Sequence, residues 1–276
     1  MTSAALRVVG DGAPASASAS SRPLIEIRGL AKTYRTRDGD VPSLRPIDLD
    51  LAAGEFVAVV GPSGCGKSTL LKLVGGLIPP SAGEVRIAGR PVTEPPDDVG
   101  IVFQNPVLLA WRTVLRNVMM PVEVRGLDRG THLARARALL KTAGLSDFEQ
   151  KYPWQLSGGM QQRTSICRAL VHDPKIVLMD EPFGALDAMT RERMNLELQR
   201  IHGETGKTVL LITHSIPEAI FLADRVVVMS ERPGTVAAIY DIDLPRPRTI
   251  EMLGNPVFAD LARRVRSHFY AQGGLD

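Results

Sequence analysis

Cysteine is nearly missing: two residues in 276, Cys65 and Cys167, with no metal-like spacing. That excludes a disulfide framework and a zinc module and favours a reducing compartment. No apolar run approaches the roughly 18 residues that a membrane-crossing helix needs. The opening MTSAALRVVGDGAPASASASSRP has only a short apolar patch, interrupted by Arg7. The chain is therefore expected to be cytosolic, touching a membrane only through a partner. A net charge of +3 is too small to argue for nucleic acid as a partner. Internal repeats and sustained heptads are also absent.

What is present is the composition of an ordinary globular protein, 44% hydrophobic and 23% charged. Residues 1–23 are Ala/Ser-rich and without periodicity, which predicts a disordered tail. From Leu24, LIEIRGLAKTYR and IDLDLAAGEFVAVVG read as strands, and the continuous FVAVV predicts one covered on both faces. EVRIAG and VGIVFQ follow as further strands. Between Trp111 and Gly144 the period becomes helical, with Leu133, Ala136, Leu140 and Ala143 on one face. KIVLMD, KTVLLITH and DRVVVMS then alternate with helical segments, as parallel strands with crossovers do. Near the end Asn255 caps and Pro256 opens a helix with Phe258, Leu261, Val265 and Phe269 on one side. The expected fold is α/β, a mostly parallel core with an antiparallel β portion near its start. Its domain is placed at residues 24–245, with a helical subdomain at about 106–172 and a C-terminal helical extension at 246–276.

Three stretches carry chemistry. GPSGCGKST, comprising Gly61, Pro62, Ser63, Gly64, Cys65, Gly66, Lys67, Ser68 and Thr69, lies between FVAVV and an apolar helix. This is a phosphate loop, in which glycines let backbone N–H groups turn toward an anion at a helix start. Lys67 would reach the β- and γ-phosphates, and Ser68 would ligate Mg²⁺. In IVLMDEP a buried strand delivers Asp180 to the same sheet edge to hold Mg²⁺, with Glu181 placed to orient or deprotonate an attacking water. The third stretch, QLSGGMQQRTSICRAL, opens with Ser157, Gly158 and Gly159 and runs into a helix bearing Gln161, Gln162, Arg163 and Arg168. It has no acid, base or nucleophile arrangement of its own. Its serine can cap the helix, and its N–H groups can receive an anion.

With LSGGM the chain resembles the nucleotide-binding subunits of ATP-binding-cassette transporters, from Leu24 to about Thr235. The phosphate loop, the glutamine of VGIVFQ, LSGGMQQR, LMDEPFGALD and the histidine of LLITHS occur in that family's order. The resemblance implies that two copies dimerise head to tail, each closing its Ser157–Gly159 stretch over ATP held by the other. It implies that Gln104 senses Mg²⁺ and the γ-phosphate, that His214 holds the water in line and that Asp187 lies across the dimer boundary. Tyr34 would stack on adenine, although a tyrosine there serves equally well in packing. Met160 stands where glutamine is commoner and is read as a tolerated variation.

The resemblance also implies ATP hydrolysis coupled to integral membrane permease subunits on the cytoplasmic face, and indirectly a solute-binding protein. The residues Val107 to Val114, with Leu108, Leu109 and Trp111, either dock such a partner or fill the subdomain's own core. NPVLLAWRTVLRNVMMPVEVRG, YPWQLSGGMQQR and HSIPEAIFLADRVVVMSERPG resemble importers of nitrate, sulfonate or taurine. Importers of thiamin-precursor pyrimidines remain an alternative. A repair or ribosomal ATPase of the same family fits less well, since those relatives carry two cassettes, zinc modules or long heptad arms. A GTPase lacks its Asn-Lys-x-Asp base reader here. On this reading Met160→Gln keeps ATPase activity within about tenfold, the phosphate contacts being made by Ser157 and backbone donors. Ser157→Arg abolishes ATP-driven dimerisation, as light scattering would measure.

Overall fold

The computed structural model describes residues 22–184 and 186–270; the expected tail falls almost wholly outside them. The chain opens with β1 (Ile25–Thr36), β2 (Gly39–Leu51), β3 (Phe56–Val60), α1 (Lys67–Val74), β4 (Ala82–Ile87), β5 (Arg90–Pro91) and β6 (Val99–Val102). Four helices follow: α2 (Val114–Val118), α3 (Met120–Val124), α4 (Arg129–Thr142) and α5 (Gly158–Leu170). The last part alternates as β7 (Ile176–Asp180), α6 (Ala188–Thr205), β8 (Thr208–Ile212), α7 (Ile216–Leu222), β9 (Arg225–Met229), β10 (Val236–Asp241) and α8 (Pro256–Tyr270).

FVAVV is β3, and it runs through the middle of a six-stranded sheet of order β10-β9-β3-β8-β7-β6. Its neighbours β8 and β9 are parallel to it, as are β7 and β6 to each other, while β10 closes the edge antiparallel. Side chains alternate across a strand, so each strand feeds two cores. Phe56, Ala58 and Val60 of β3 join Val177, Met179, Val209 and Leu211 on one face, against α5 to α8. Val57 and Val59 join Ile176, Leu178, Leu210 and Ile212 on the other, against α1 and the second sheet. Burial on both faces is why these runs show no polar alternation.

The second sheet, of order β2-β1-β4-β5, is antiparallel. It contributes Ile25, Ile27, Ile47, Leu49 and Val85 to the core above β3. A third apolar cluster belongs to the helices alone. Val114, Val118 and Val122 meet Ala136 and Leu140 of α4 and Cys167 of α5. The outward positions of α4 are charged, Arg135 reaching Asp173 at 2.7 Å and Arg137 reaching Glu149 at 3.3 Å. Asn117 is buried in this cluster, its amide bonded to the carbonyls of Leu109, Arg112 and Thr113 at 2.9–3.1 Å.

At the C-terminal end Asn255 accepts from the N–H of Val257 at 2.8 Å, and Phe258, Leu261 and Val265 bury against the first core. Nothing in the sequence pointed to Arg248, which is 2% exposed. Its guanidinium donates to the carbonyls of Ile220 and Ala223 at 2.7 Å each and of Ile242 at 3.3 Å. The amide of Gln199 in α6 binds the Arg248 carbonyl at 2.8 Å. One side chain thus satisfies the open carbonyls at the end of α7 and ties them to the segment leading to α8. Burial pulls its pKa down to about 10, still cationic at neutral pH. Arg248→Met strands those buried acceptors and is expected to cost about 3 kcal/mol. At this chain length that is a drop of roughly 10 °C in Tm, measurable by calorimetry.

Candidate nucleotide site

The site begins where β3 ends. The chain turns at Gly61 and rises to α1, with Ser63 and Gly64 exposed at the loop tip and Cys65 buried beneath it. Gly66 closes the loop at φ 110°, a left-handed conformation. A Cβ there would meet Leu44 Cδ2 at 2.5 Å and the Ser43 carbonyl at 2.9 Å. The loop can therefore neither twist nor approach β2 this way with any other residue. The Cys65 thiol is pushed up by burial, despite Lys67 nearby, and is a packing group.

Lys67 is buried, and its Nζ folds back to the carbonyls of Gly61 and Pro62 at 2.8 and 2.9 Å. The ammonium thus spans the concave side of the loop. One residue on, Ser68 Oγ donates to Asp180 Oδ1 at 3.0 Å, joining the start of α1 to the end of β7. Burial raises the Asp180 pKa; the Ser68 bond opposes it, and the Glu181 charge adds to it. A carboxylate held this way gains from a cation. Mg²⁺ suits a site of one or two carboxylates completed by phosphates and water, and the hard oxygens of Ser68 and Asp180 fit that need.

Glu181 has φ 45°, a strained value for a residue with a side chain. Its N–H donates to the Ile212 carbonyl at 2.8 Å, which fixes the kink against β8. The kink aims the carboxylate between two loops. Gln104 Nε2 donates to Glu181 Oε2 at 3.2 Å, and His214 Nδ1 lies 3.3 Å from the same oxygen. Gln104, Glu181 and His214, from three different strand ends, thus converge on one atom. Glu218 lies buried just behind, its carboxyl raised by burial, and lines a small cavity with Glu181 and His214.

Tyr34 is inside β1, opposite Val41 in the β1–β2 hairpin, rather than after the strand. Its hydroxyl lies 3.3 Å from Thr69 Oγ1, which also accepts from Ser43 Oγ at 3.1 Å. Lys32 Nζ sits 5.3 Å from the ring centroid. Tyr34 is therefore brought to the phosphate loop with its ring partly open.

The remaining predicted residues stand apart. Ser157 accepts from the Met160 N–H at 3.3 Å as the cap of α5, and Gly158 and Gly159 form its first turn. Met160 packs, half-buried, against the helical cluster. Asp187 caps α6 by accepting from the Thr190 N–H at 2.9 Å, a bond that holds its carboxyl below the usual range. Among the described residues, no hydrogen bond or ion pair joins these five to the phosphate loop, Asp180 or Glu181.

The polar residues of α5 have local uses that the sequence reading missed. Gln162 Nε2 donates to the Phe103 carbonyl at 3.1 Å, while Arg168 donates to those of Pro106 and Val107 at 2.8 Å each. Burial lowers the Arg168 pKa, and its two acceptors replace water. Together these side chains fix the loop that carries Gln104. The only signal in the sequence was the spacing of Gln162 with Ile166 and Ala169, four and seven positions on, which sets it on the apolar face of the helix.

The ABC transporter family pattern matches residues 44–184. The chain is 47% identical over 224 residues to an uncharacterized ABC transporter ATP-binding protein, MJ0412, of Methanocaldococcus jannaschii, covering 81% of this chain and 84% of that one. It is 45% identical over 242 residues to the taurine import ATP-binding protein TauB of Rhizobium johnstonii, covering 85% and 92%. TauB of Yersinia pestis matches at 46% over 213 residues, covering 77% and 82%. Among solved structures, the ATP-binding cassette MJ0796, a dimer bound to ADP and Pi in a post-hydrolysis state, superposes with a TM-score of 0.73 at 34% identity. It covers 80% of this chain and all of that one. Motif order, site geometry and these likenesses agree, and the chain belongs to the ATP-binding, ATP-hydrolysing subunits of the ABC transporter family.

Proposed function

We propose that two copies of this chain close head to tail around ATP and Mg²⁺ and drive the permease subunits of an importer for a small anion such as taurine, nitrate or a sulfonate. The observation that carries the catalytic part is the convergence of Gln104 and His214 on Glu181 Oε2, at 3.2 and 3.3 Å. Glu181 would take a proton from water as the water oxygen bonds to the γ-phosphorus and ADP leaves. The Gln104 amide and the His214 imidazole fix the orientation of that carboxylate, and His214, exposed, can turn to the γ-phosphate. Lys67 would exchange its two carbonyl partners for β- and γ-phosphate oxygens. Ser68, Asp180 and Gln104 would hold Mg²⁺, which supplies charge neutralisation on the phosphates when bound.

The donors of Ser157, Gly158 and Gly159, which make no hydrogen bond to their own phosphate loop, suit a γ-phosphate brought by a second copy. The similarity to TauB supports the importer reading and the taurine-like cargo. It also supports permease and solute-binding partners and a place on the cytoplasmic face of a membrane. No helix among the described residues is long and apolar enough to cross one.

A groove of about 440 Å³ suits a permease segment. It lies between the six-stranded sheet and the helices, lined by Ile101, Phe103, Leu109, Met120 and Val124. Val107 at its rim is 61% exposed and Trp111 beyond it 73%, while Val114 is buried. The stretch expected either to dock a partner or to fill the core is thus part exposed and part buried. Val107 also has φ 46°, unfavourable for a β-branched residue, and is held there by Arg168.

Glu181→Gln is expected to lower kcat by about 10³-fold and to trap an ATP-bound dimer, seen by light scattering. Turnover at the parental rate would remove the catalytic assignment. Val107→Asp, better suited to that backbone, should leave Tm within about 2 °C while abolishing co-purification with the permease and cargo uptake. Undiminished uptake would exclude the groove as the docking site.

A further inference from the structure

We propose that Trp154 is a nucleotide-contacting residue acting in trans, its indole covering the purine held by the partner subunit. The proposal rests on the head-to-tail reading above and adds to it a base contact. Trp154 is 71% exposed, yet it is not loosely held. Its ring stacks on Tyr152 with centroids 5.8 Å apart and planes within 8°. The backbone beneath is a single 3₁₀ turn, Pro153–Gln155, with Pro153 buried. The Tyr152 N–H donates to Gln155 Oε1 and the Gln155 N–H to the Tyr152 carbonyl, both at 2.9 Å. Gln161, in the first turns of α5, donates to the Pro153 carbonyl at 3.0 Å and ties the platform to that helix.

The platform is continuous with the surface that meets the second copy. Ser157 is three positions on from Trp154, at most about 10 Å of chain. When Ser157 reaches the γ-phosphate, that length of chain leaves a rigid aromatic face within reach of the base of the same nucleotide. The base has a side to receive it. Tyr34 of the partner subunit would stack on one face of the purine from its own strand, which leaves the other face for Trp154. A planar indole already stacked on a second ring loses little freedom on binding and presents the π-surface that bases favour. Among the described residues, Tyr152 and Trp154 are the exposed aromatics within five positions of Ser157, and at 71% against 37% Trp154 is the more open of the two.

The test uses the full chain. In a Trp111→Phe/Glu181→Gln background Trp154 is the sole tryptophan, and its emission is expected to fall at the ATP·Mg²⁺ concentrations that produce the dimer in light scattering. With Glu181 intact, Trp154→Ala should raise KM for ATP by at least roughly fivefold with kcat within about twofold. It should also lower the preference for ATP over UTP, whose smaller ring stacks less, and Trp154→Phe should retain most of both. If the dimer forms while emission and preference do not change, or if Trp154→Ala weakens ATP and UTP alike, the purine contact is wrong and the dimer reading stands. If no ATP-driven dimer forms in the parent background, the dimer reading fails and takes this contact with it.

Discussion

The molecule depends on the burial of β3, β7, β8 and β9 on both faces. Strands with apolar side chains above and below can place polar groups only at their ends. The groups of one copy that would meet its phosphates and the attacking water accordingly lie where parallel strands of this sheet stop. The phosphate loop follows β3, Asp180 and Glu181 end β7, and His214 comes two residues after β8. The parallel direction of the strands gathers these ends on one edge. The chemistry is a boundary effect of the core. A slip of one residue in β3, β7 or β8 would exchange the two cores and withdraw one of these groups at once.

The electrostatics follow from the same edge. Lys67 and Asp180 are both buried, and each satisfies its charge with near neighbours, the lysine through loop carbonyls and the aspartate through Ser68. Both arrangements are ones a polyphosphate and its cation improve. A buried cation exchanges neutral acceptors for anionic ones, and a carboxylate raised by desolvation gains a positive partner. The strain at Glu181 belongs with them. The backbone accepts an unfavourable φ because the N–H bond to Ile212 and the buried β7–β8 pairing overdetermine it.

Much of this could be read before any coordinates. Continuous apolar runs gave the buried strands, and the glycine spacing gave the phosphate loop, because both patterns result from local necessity. The capping of α8 by Asn255 was legible for the same reason. Features that depend on distant partners were not. Arg248 is a charged residue in a segment rich in proline and arginine, and only the fold brings the end of α7 to it. Gln162 and Arg168 looked like the polar face of a helix, yet both are buried against the carbonyls of another loop. The stretch from Val107 to Val114 mixes exposed and buried side chains because its backbone leaves β6 with a left-handed residue, which no periodicity anticipates.

Helix α5 has a mechanical consequence. Ser157 caps one end of a rod of 13 residues, and Gln162 and Arg168 grip the carbonyls of Phe103, Pro106 and Val107 about one and three turns further on. Those grips are short, buried and made by side chains of the rod itself. Tilting its tip by a few degrees would therefore drag the Gln104 loop and the rim of the groove along, a beam linking both ends without any intermediate joint.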